Sequence, residues 1–201
     1  MNAARIWLIR HGDTEWSQSG RHTGTTDIPL TAEGREAATA VKPELEQALA
    51  GRSVGLVLVS PLQRARDTAS LAGLTPDATD DDLHEWAYGA WEGRTTAEIR
   101  ETLHDPTWVI WDHPIPPGDT PGGQLSDVAV RVDRVIARCR PHLDAGEDCI
   151  LVAHGHVLRI LTARWLGLDP IAGRLFALGP ARLSALGFEH EQQVIERWNS
   201  Q

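Results

Sequence analysis

Three short apolar runs punctuate the chain: Ile6-Trp7-Leu8-Ile9, Val54-Gly55-Leu56-Val57-Leu58-Val59 and Ile150-Leu151-Val152-Ala153. They are too short and too uniformly apolar for amphipathic helices, so they predict buried strands over 5–9, 54–59 and 150–153. Between them the period changes. Ala37, Ala38, Val41, Leu45 and Leu49 share one helical face behind Thr31, a helix cap. That pattern predicts a helix from Thr31 to about Ala50, kinked or broken at Pro43. Ser60-Pro61-Leu62-Gln63 reads as a second helix start, with Ser60 as cap, Pro61 in the first position and Gln63 closing a capping box. The helix then runs through Arg64 and Thr68 to about Ala72. Further helices are predicted over 95–103, 126–145 (ended by Gly146) and 156–166. Residues 73–93 read as irregular, with a short strand near Asp80. Strands over 183–188 and 193–198 close the chain. Residues 12–30 are a polar, glycine-rich loop. Residues 105–123 hold Pro106, Pro114, Pro116, Pro117 and Pro121 and form a long loop, a rim or lid.

Strands alternating with helices predict an α/β fold, three-layered α/β/α with a mostly parallel central sheet. At 201 residues and with no linker or repeat, the chain reads as a single domain spanning 1–201. Ligands of such sheets bind beyond the carboxyl ends of the strands. His11, Ser60 with Arg64, and His154 each follow a predicted strand, so they converge on one sheet edge.

Composition narrows the function. The formal net charge is -9 with no basic block, which argues against nucleic acid. No apolar run approaches the length of a membrane span and Arg5 interrupts any leader-like core, so a cytoplasmic location without membrane attachment is expected. Cys139 and Cys149 make no disulfide framework. In an acidic chain with Lys42 as its one lysine, the placement of each arginine becomes informative.

Arg10 and Arg64 supply planar forks suited to phosphate oxygens, and Arg64 lies where a helix N-terminus already favours an anion. A neutral imidazole at His11 can attack phosphorus if a backbone carbonyl holds its other nitrogen. Gly12 lets the chain turn closely enough for that. His154 can donate to an equatorial oxygen in the transition state. Glu85 is the candidate acid for the leaving alkoxide and base for the attacking water. Trp86 and Tyr88 would give it a partly apolar setting, which keeps a carboxylic acid protonated. Taken singly, each of these residues is ordinary: a loop histidine, a solvated arginine, a surface carboxylate. The case rests on their coincidence at one edge.

These residues sit in segments that resemble the histidine phosphatase superfamily, in its phosphoglycerate-mutase-like branch. The segments are Leu8-Ile9-Arg10-His11-Gly12-Asp13-Thr14, then Asp27-Ile28-Pro29-Leu30-Thr31 with Gly34. Ser60-Pro61-Leu62 follows, with Arg64-Ala65 and Thr68-Ala69. Glu85 with Gly89 and Trp91-Glu92-Gly93 comes next, and Val152-Ala153-His154-Gly155-His156 completes the set. The resemblance spans nearly the whole chain and implies that fold. It implies His11 as the phosphorylated nucleophile, Arg10, Arg64 and His154 as the phosphate pocket, Glu85 as proton donor, and neither metal nor cofactor.

Thr14-Glu15-Trp16-Ser17-Gln18-Ser19-Gly20, His22-Thr23-Gly24 and Glu85-Trp86-Ala87-Tyr88-Gly89 are similar to sedoheptulose-bisphosphatase-like and small acid phosphatase members. By that similarity Ser17, Thr23, Gly24, Tyr88 and Arg159 are candidate substrate contacts. Ser17 stands where many members carry asparagine. The usual Gly-Glu-Ser/Thr before the long helix matches either Gly118-Asp119-Thr120 or Gly122-Gly123-Gln124. The expectation is a metal-independent phosphomonoesterase acting on a small phosphorylated metabolite, a sugar phosphate or bisphosphate, with a homo-oligomer left open. The alternatives are a phosphoglycerate mutase, a metal site of His11, Asp13, His154 and His156, and a non-catalytic phospho-ligand module. Arg10 argues against the metal, and the complete set of catalytic positions argues against the module.

Overall fold

The structure, a computed structural model, describes residues 4–200. In chain order the strands are β1 (Ile6–Arg10), β2 (Val54–Val59), β3 (Ala78–Thr79), β4 (Asp148–Ala153), β5 (Leu183–Glu189) and β6 (Gln192–Ser200). The α-helices are α1 (Glu15–Gln18), α2 (Ala32–Leu49), α3 (Gln63–Leu71), α4 (Thr96–Leu103), α5 (Leu125–Asp144) and α6 (Gly155–Trp165). The strands form one sheet in the order β3-β2-β4-β1-β5-β6. The first four run parallel, and β5 and β6 are antiparallel to their neighbours.

Successive residues of a strand face opposite sides of the sheet, and β1 divides itself between two cores accordingly. Trp7 and Ile9 pack with Val57, Val59, Ile150 and Val152 against Val41 and Leu45 of α2 and Ala65 and Ala69 of α3. Ile6 and Leu8 pack with Leu58 and Leu151 against Val132 and Val135 of α5 and Leu158 and Leu161 of α6. Both faces of β1, β2 and β4 are covered, which is why their sequence reads as apolar runs.

Three local expectations resolve in the structure. The helix over Pro43 is continuous from Ala32 to Leu49. The carbonyl that Pro43 leaves without a partner belongs to exposed Thr39, where water can serve it. Ser60 is not the cap of α3. The helix starts after Leu62, whose backbone is still extended, and no side chain of the segment caps it. The carboxylate of Asp27 does so instead, accepting the Gln63 N–H at 2.9 and 3.0 Å. Ser60 is turned away to meet His154. The 105–123 loop is a packed rim rather than a free lid, because Trp108, Ile110 and Ile115 are buried in the α5/α6 core.

Strand register sets the site. Arg10 of β1 lies opposite Ala153 of β4, and Val59 of β2 lies opposite Val152. The three strands therefore end level. Their next residues, His11, His154 and Ser60, fall side by side.

Candidate active site

His11 leaves β1 with its backbone N–H still bonded to the Ala153 carbonyl at 2.9 Å. Its Nδ1–H donates to its neighbour's carbonyl, Gly12 O, at 2.7 Å. A carbonyl can only accept, so the proton sits on Nδ1 and the Nε2 lone pair is free. Burial, then the positive charges of Arg64 and Arg10, push the His11 imidazole well below its ordinary value, so the ring is neutral at pH 7. The turn that allows this is tight. A Cβ on Gly12 would stand 2.3 Å from Gly34 O, and one on Gly34 would stand 2.2 Å from Asp13 O.

A cavity of about 210 Å³ opens over His11, lined among others by Arg10, Ser17, His22, Thr23, Glu85, Tyr88, His156 and Arg159. Arg10 donates from Nη1 to Leu178 O at 2.5 Å, while its buried Nε–H has no partner. An unpartnered, charged donor beside His11 is a ready anion contact.

Arg64 and His154 lie beneath this cavity rather than on its wall. Arg64 is fully buried and donates from Nε to His154 Nδ1 at 3.1 Å, from Nη1 to Thr26 O at 2.8 Å and from Nη2 to Gly24 O at 2.8 Å. Because Arg64 can only donate, the neutral His154 ring carries its proton on Nε2 and gives it to Ser60 Oγ at 2.7 Å. The His11 and His154 ring centroids are 5.1 Å apart. Burial, then Arg64, push His154 well below the ordinary imidazole value. With both nitrogens held, one of them by a cation, His154 is badly placed to ligate a metal.

Glu85 is 6% exposed and receives three backbone N–H bonds. Those from Trp86 and Val157 reach Oε1 at 2.9 Å each, and that from His156 reaches Oε2 at 2.9 Å. Two of the donors are in the first turn of α6, which aims its N-terminus at the carboxyl group. The apolar setting expected from Trp86 and Tyr88 is thus replaced by polar contacts. Trp86 turns its ring N–H to Gly123 O, and Tyr88 turns its hydroxyl to His156 Nδ1.

Of the candidate substrate contacts, Ser17, Thr23, Tyr88 and Arg159 line the cavity and Gly24 does not. Gly24 is a packing position whose N–H binds Glu92 and whose carbonyl holds Arg64. Ser17 lines the wall with its hydroxyl donating to Asp13 Oδ1 at 2.9 Å. Arg159 bonds the carbonyls of Gly173 and Arg174 and stacks 4.9 Å from the Trp111 ring. Gly122-Gly123-Gln124 sits directly ahead of α5, with Gln124 as its N-cap residue.

The sequence pointed neither to Ser60 as partner of His154 nor to Asp27 as cap of α3. It also missed Glu92, which holds the 24–26 backbone through Oε1. In the cavity wall, His22 was visible only as a member of a longer motif, and His156 was singled out only as a ligand of the alternative metal site. No local pattern marks a partner that arrives from another part of the chain.

The family model described as histidine phosphatase superfamily (branch 1) matches residues 6–201. An acid phosphatase of Mycobacterium tuberculosis is 39% identical over 193 residues, covering 92% of this chain and 87% of its own. Sedoheptulose 1,7-bisphosphatase of Saccharomyces cerevisiae is 35% identical over 82% of this chain and 68% of its own. Among solved structures, an open reading frame product of Mycobacterium tuberculosis superimposes with a TM-score of 0.88 at 36% identity, covering 98% of this chain and 97% of that one. A mycobacterial glucosyl-3-phosphoglycerate phosphatase, solved with VO3, gives a TM-score of 0.79 at 28% identity over 99% of this chain and 100% of that one.

Proposed function

The chain belongs to the histidine phosphatase superfamily, branch 1, and from that premise we propose that it hydrolyses small phosphomonoesters through a phosphohistidine on His11. The observation that carries this reading is the His11 ring itself: Nδ1–H tied to Gly12 O, and Nε2 free under a cavity walled by Arg10 and Glu85.

In the first step Nε2 of His11 forms a bond to phosphorus while the ester P–O bond breaks. Glu85 gives its proton to the departing alkoxide. In the second step a water oxygen bonds to phosphorus, Glu85 takes the water's proton, and the N–P bond breaks to return neutral His11 and inorganic phosphate. Arg10, through its unpartnered Nε–H, holds a phosphoryl oxygen. Arg64 acts from below with its charge and its one remaining N–H, and it fixes the His154 tautomer. When a phosphoryl oxygen arrives, the His154 Nε2–H can exchange Ser60 for it. A cavity of about 210 Å³ suits a phosphoryl group and a compact leaving group, which fits sugar phosphates or bisphosphates of the kind named among the relatives.

The test is phosphate release from a panel of sugar phosphates and p-nitrophenyl phosphate, with chelator present, for the wild type and His11→Ala. Turnover that survives the chelator and is lost in the variant supports the reading. Isomerisation of 3-phosphoglycerate without net phosphate release would replace it with a mutase.

A further inference from the structure

His156 lies in the wall of the cavity and takes no part in the steps above. It stands two residues after His154 on the first turn of α6, and its backbone N–H binds Glu85 Oε2 at 2.9 Å, which sets its ring beside Glu85. Trp111, Tyr88 and Trp86 surround the ring, with centroids at 4.9, 5.7 and 6.1 Å, which fixes its plane. Nδ1 faces the Tyr88 hydroxyl at 2.7 Å and stands 3.9 Å from Glu85 Oε2, too far for a hydrogen bond. Nε2 has no protein partner among the described residues, and the ring that carries it lines the cavity.

The tautomer follows from the phenol. Burial, then the charges of Glu85 and Glu92, push Tyr88 well above its ordinary value, so it keeps its proton. The hydroxyl has no other partner among the described residues, and accepting from Nδ1 would leave its own proton unused. Tyr88 therefore donates to Nδ1. Burial, then the charge of Arg159, push the imidazole well below its ordinary value. A neutral ring that accepts at Nδ1 carries its single proton at Nε2.

On the phosphatase reading, we propose that His156 is a specificity residue. Its Nε2–H donates to a hydroxyl oxygen of the leaving group, selecting phosphomonoesters of polyols and sugars over plain alkyl phosphates. A donor built for that oxygen is left unpaired when the oxygen is missing, and this penalises the plain ester.

The test is the ratio of kcat/KM for glycerol 3-phosphate to that for propyl phosphate, two esters that differ only in hydroxyl groups. The wild type should favour glycerol 3-phosphate by at least about tenfold, and His156→Leu should cut that ratio by about tenfold. His156→Gln, whose amide nitrogen reaches the same region, should recover part of it. Tyr88→Phe should lower the ratio less, because it frees the proton to occupy either ring nitrogen. If the leucine variant does not fold, the glutamine and phenylalanine variants still read the ratio. Turnover of both esters with a ratio that His156 and Tyr88 substitutions leave unchanged would overturn the proposal alone. A wild type that releases phosphate from neither ester nor from p-nitrophenyl phosphate would remove the phosphatase reading, and this proposal with it.

Discussion

Arg64 would ordinarily be tested as a phosphate ligand, but its bonding makes it a structural residue as well. It is completely buried and supplies three short hydrogen bonds, to His154 Nδ1 at 3.1 Å and to the carbonyls of Thr26 and Gly24 at 2.8 Å each, besides a longer one to Thr23 O at 3.4 Å. In Arg64→Lys the charge stays but the fork is lost, and an ammonium in that space reaches one of the three acceptors. Two buried acceptors then lack a charged donor, at about 1–3 kcal/mol each. The 23–26 loop is only partly buried, so water can relieve some of this, and the expected cost is about 2–4 kcal/mol. In a domain of this size that lowers Tm by about 10 °C. The assay is urea unfolding at pH 7.5 for wild type, Arg64→Lys and His11→Ala. The last variant removes the proposed nucleophile and one bond to Gly12 O, and should cost only about 1 kcal/mol. Arg64→Lys should also lose at least about 100-fold in kcat, because the His154 tautomer is no longer fixed. A lysine variant within about 0.5 kcal/mol of wild type would refute the claim that Arg64 ties the 23–26 loop to His154.

Stability should fall in acid. His11, His154 and His156 are held well below the ordinary imidazole value and His22 is lowered to about 4, each chiefly by burial. The unfolded chain binds protons that the folded chain refuses, so stability is complete above about pH 6.5 and is lost progressively below it. At pH 5, His22 by itself accounts for a loss of about 2 kcal/mol. Urea midpoints at pH 7.5 and 5.0 check this, and equal midpoints would contradict it. Asp27→Ala removes the cap of α3 and should cost about 1 kcal/mol in the same titration. Its ion pair with Arg64 at 3.8 Å, through a partly exposed carboxylate, adds little. Gly12→Ala drives a Cβ to 2.3 Å from the Gly34 carbonyl and should cost at least about 3 kcal/mol, seen as loss of both soluble protein and turnover. A Gly12→Ala protein with wild-type Tm would show that the 12–34 contact is loose.

The apolar runs that became β1, β2 and β4 carry their own message, since a strand buried on both faces has no polar positions to interrupt it. The residues placed after them follow from the same pattern. Parallel strands must end at one edge, so His11, Arg64 and His154 were bound to meet there. The sequence therefore determined the layer architecture, the edge that carries the site and the chemical groups available to it. Tertiary structure decided what each group is bonded to. Ser60 reads as a local cap but answers to His154, 94 positions away. Asp27 caps a helix 36 positions on. Glu85 lies against aromatic neighbours in sequence, yet its carboxyl group is claimed by the N-terminus of α6, 71 and 72 positions later. Propensity and hydrophobic period act over a few residues, whereas a hydrogen bond across the sheet edge depends on strand register and chain reversals that no local window contains.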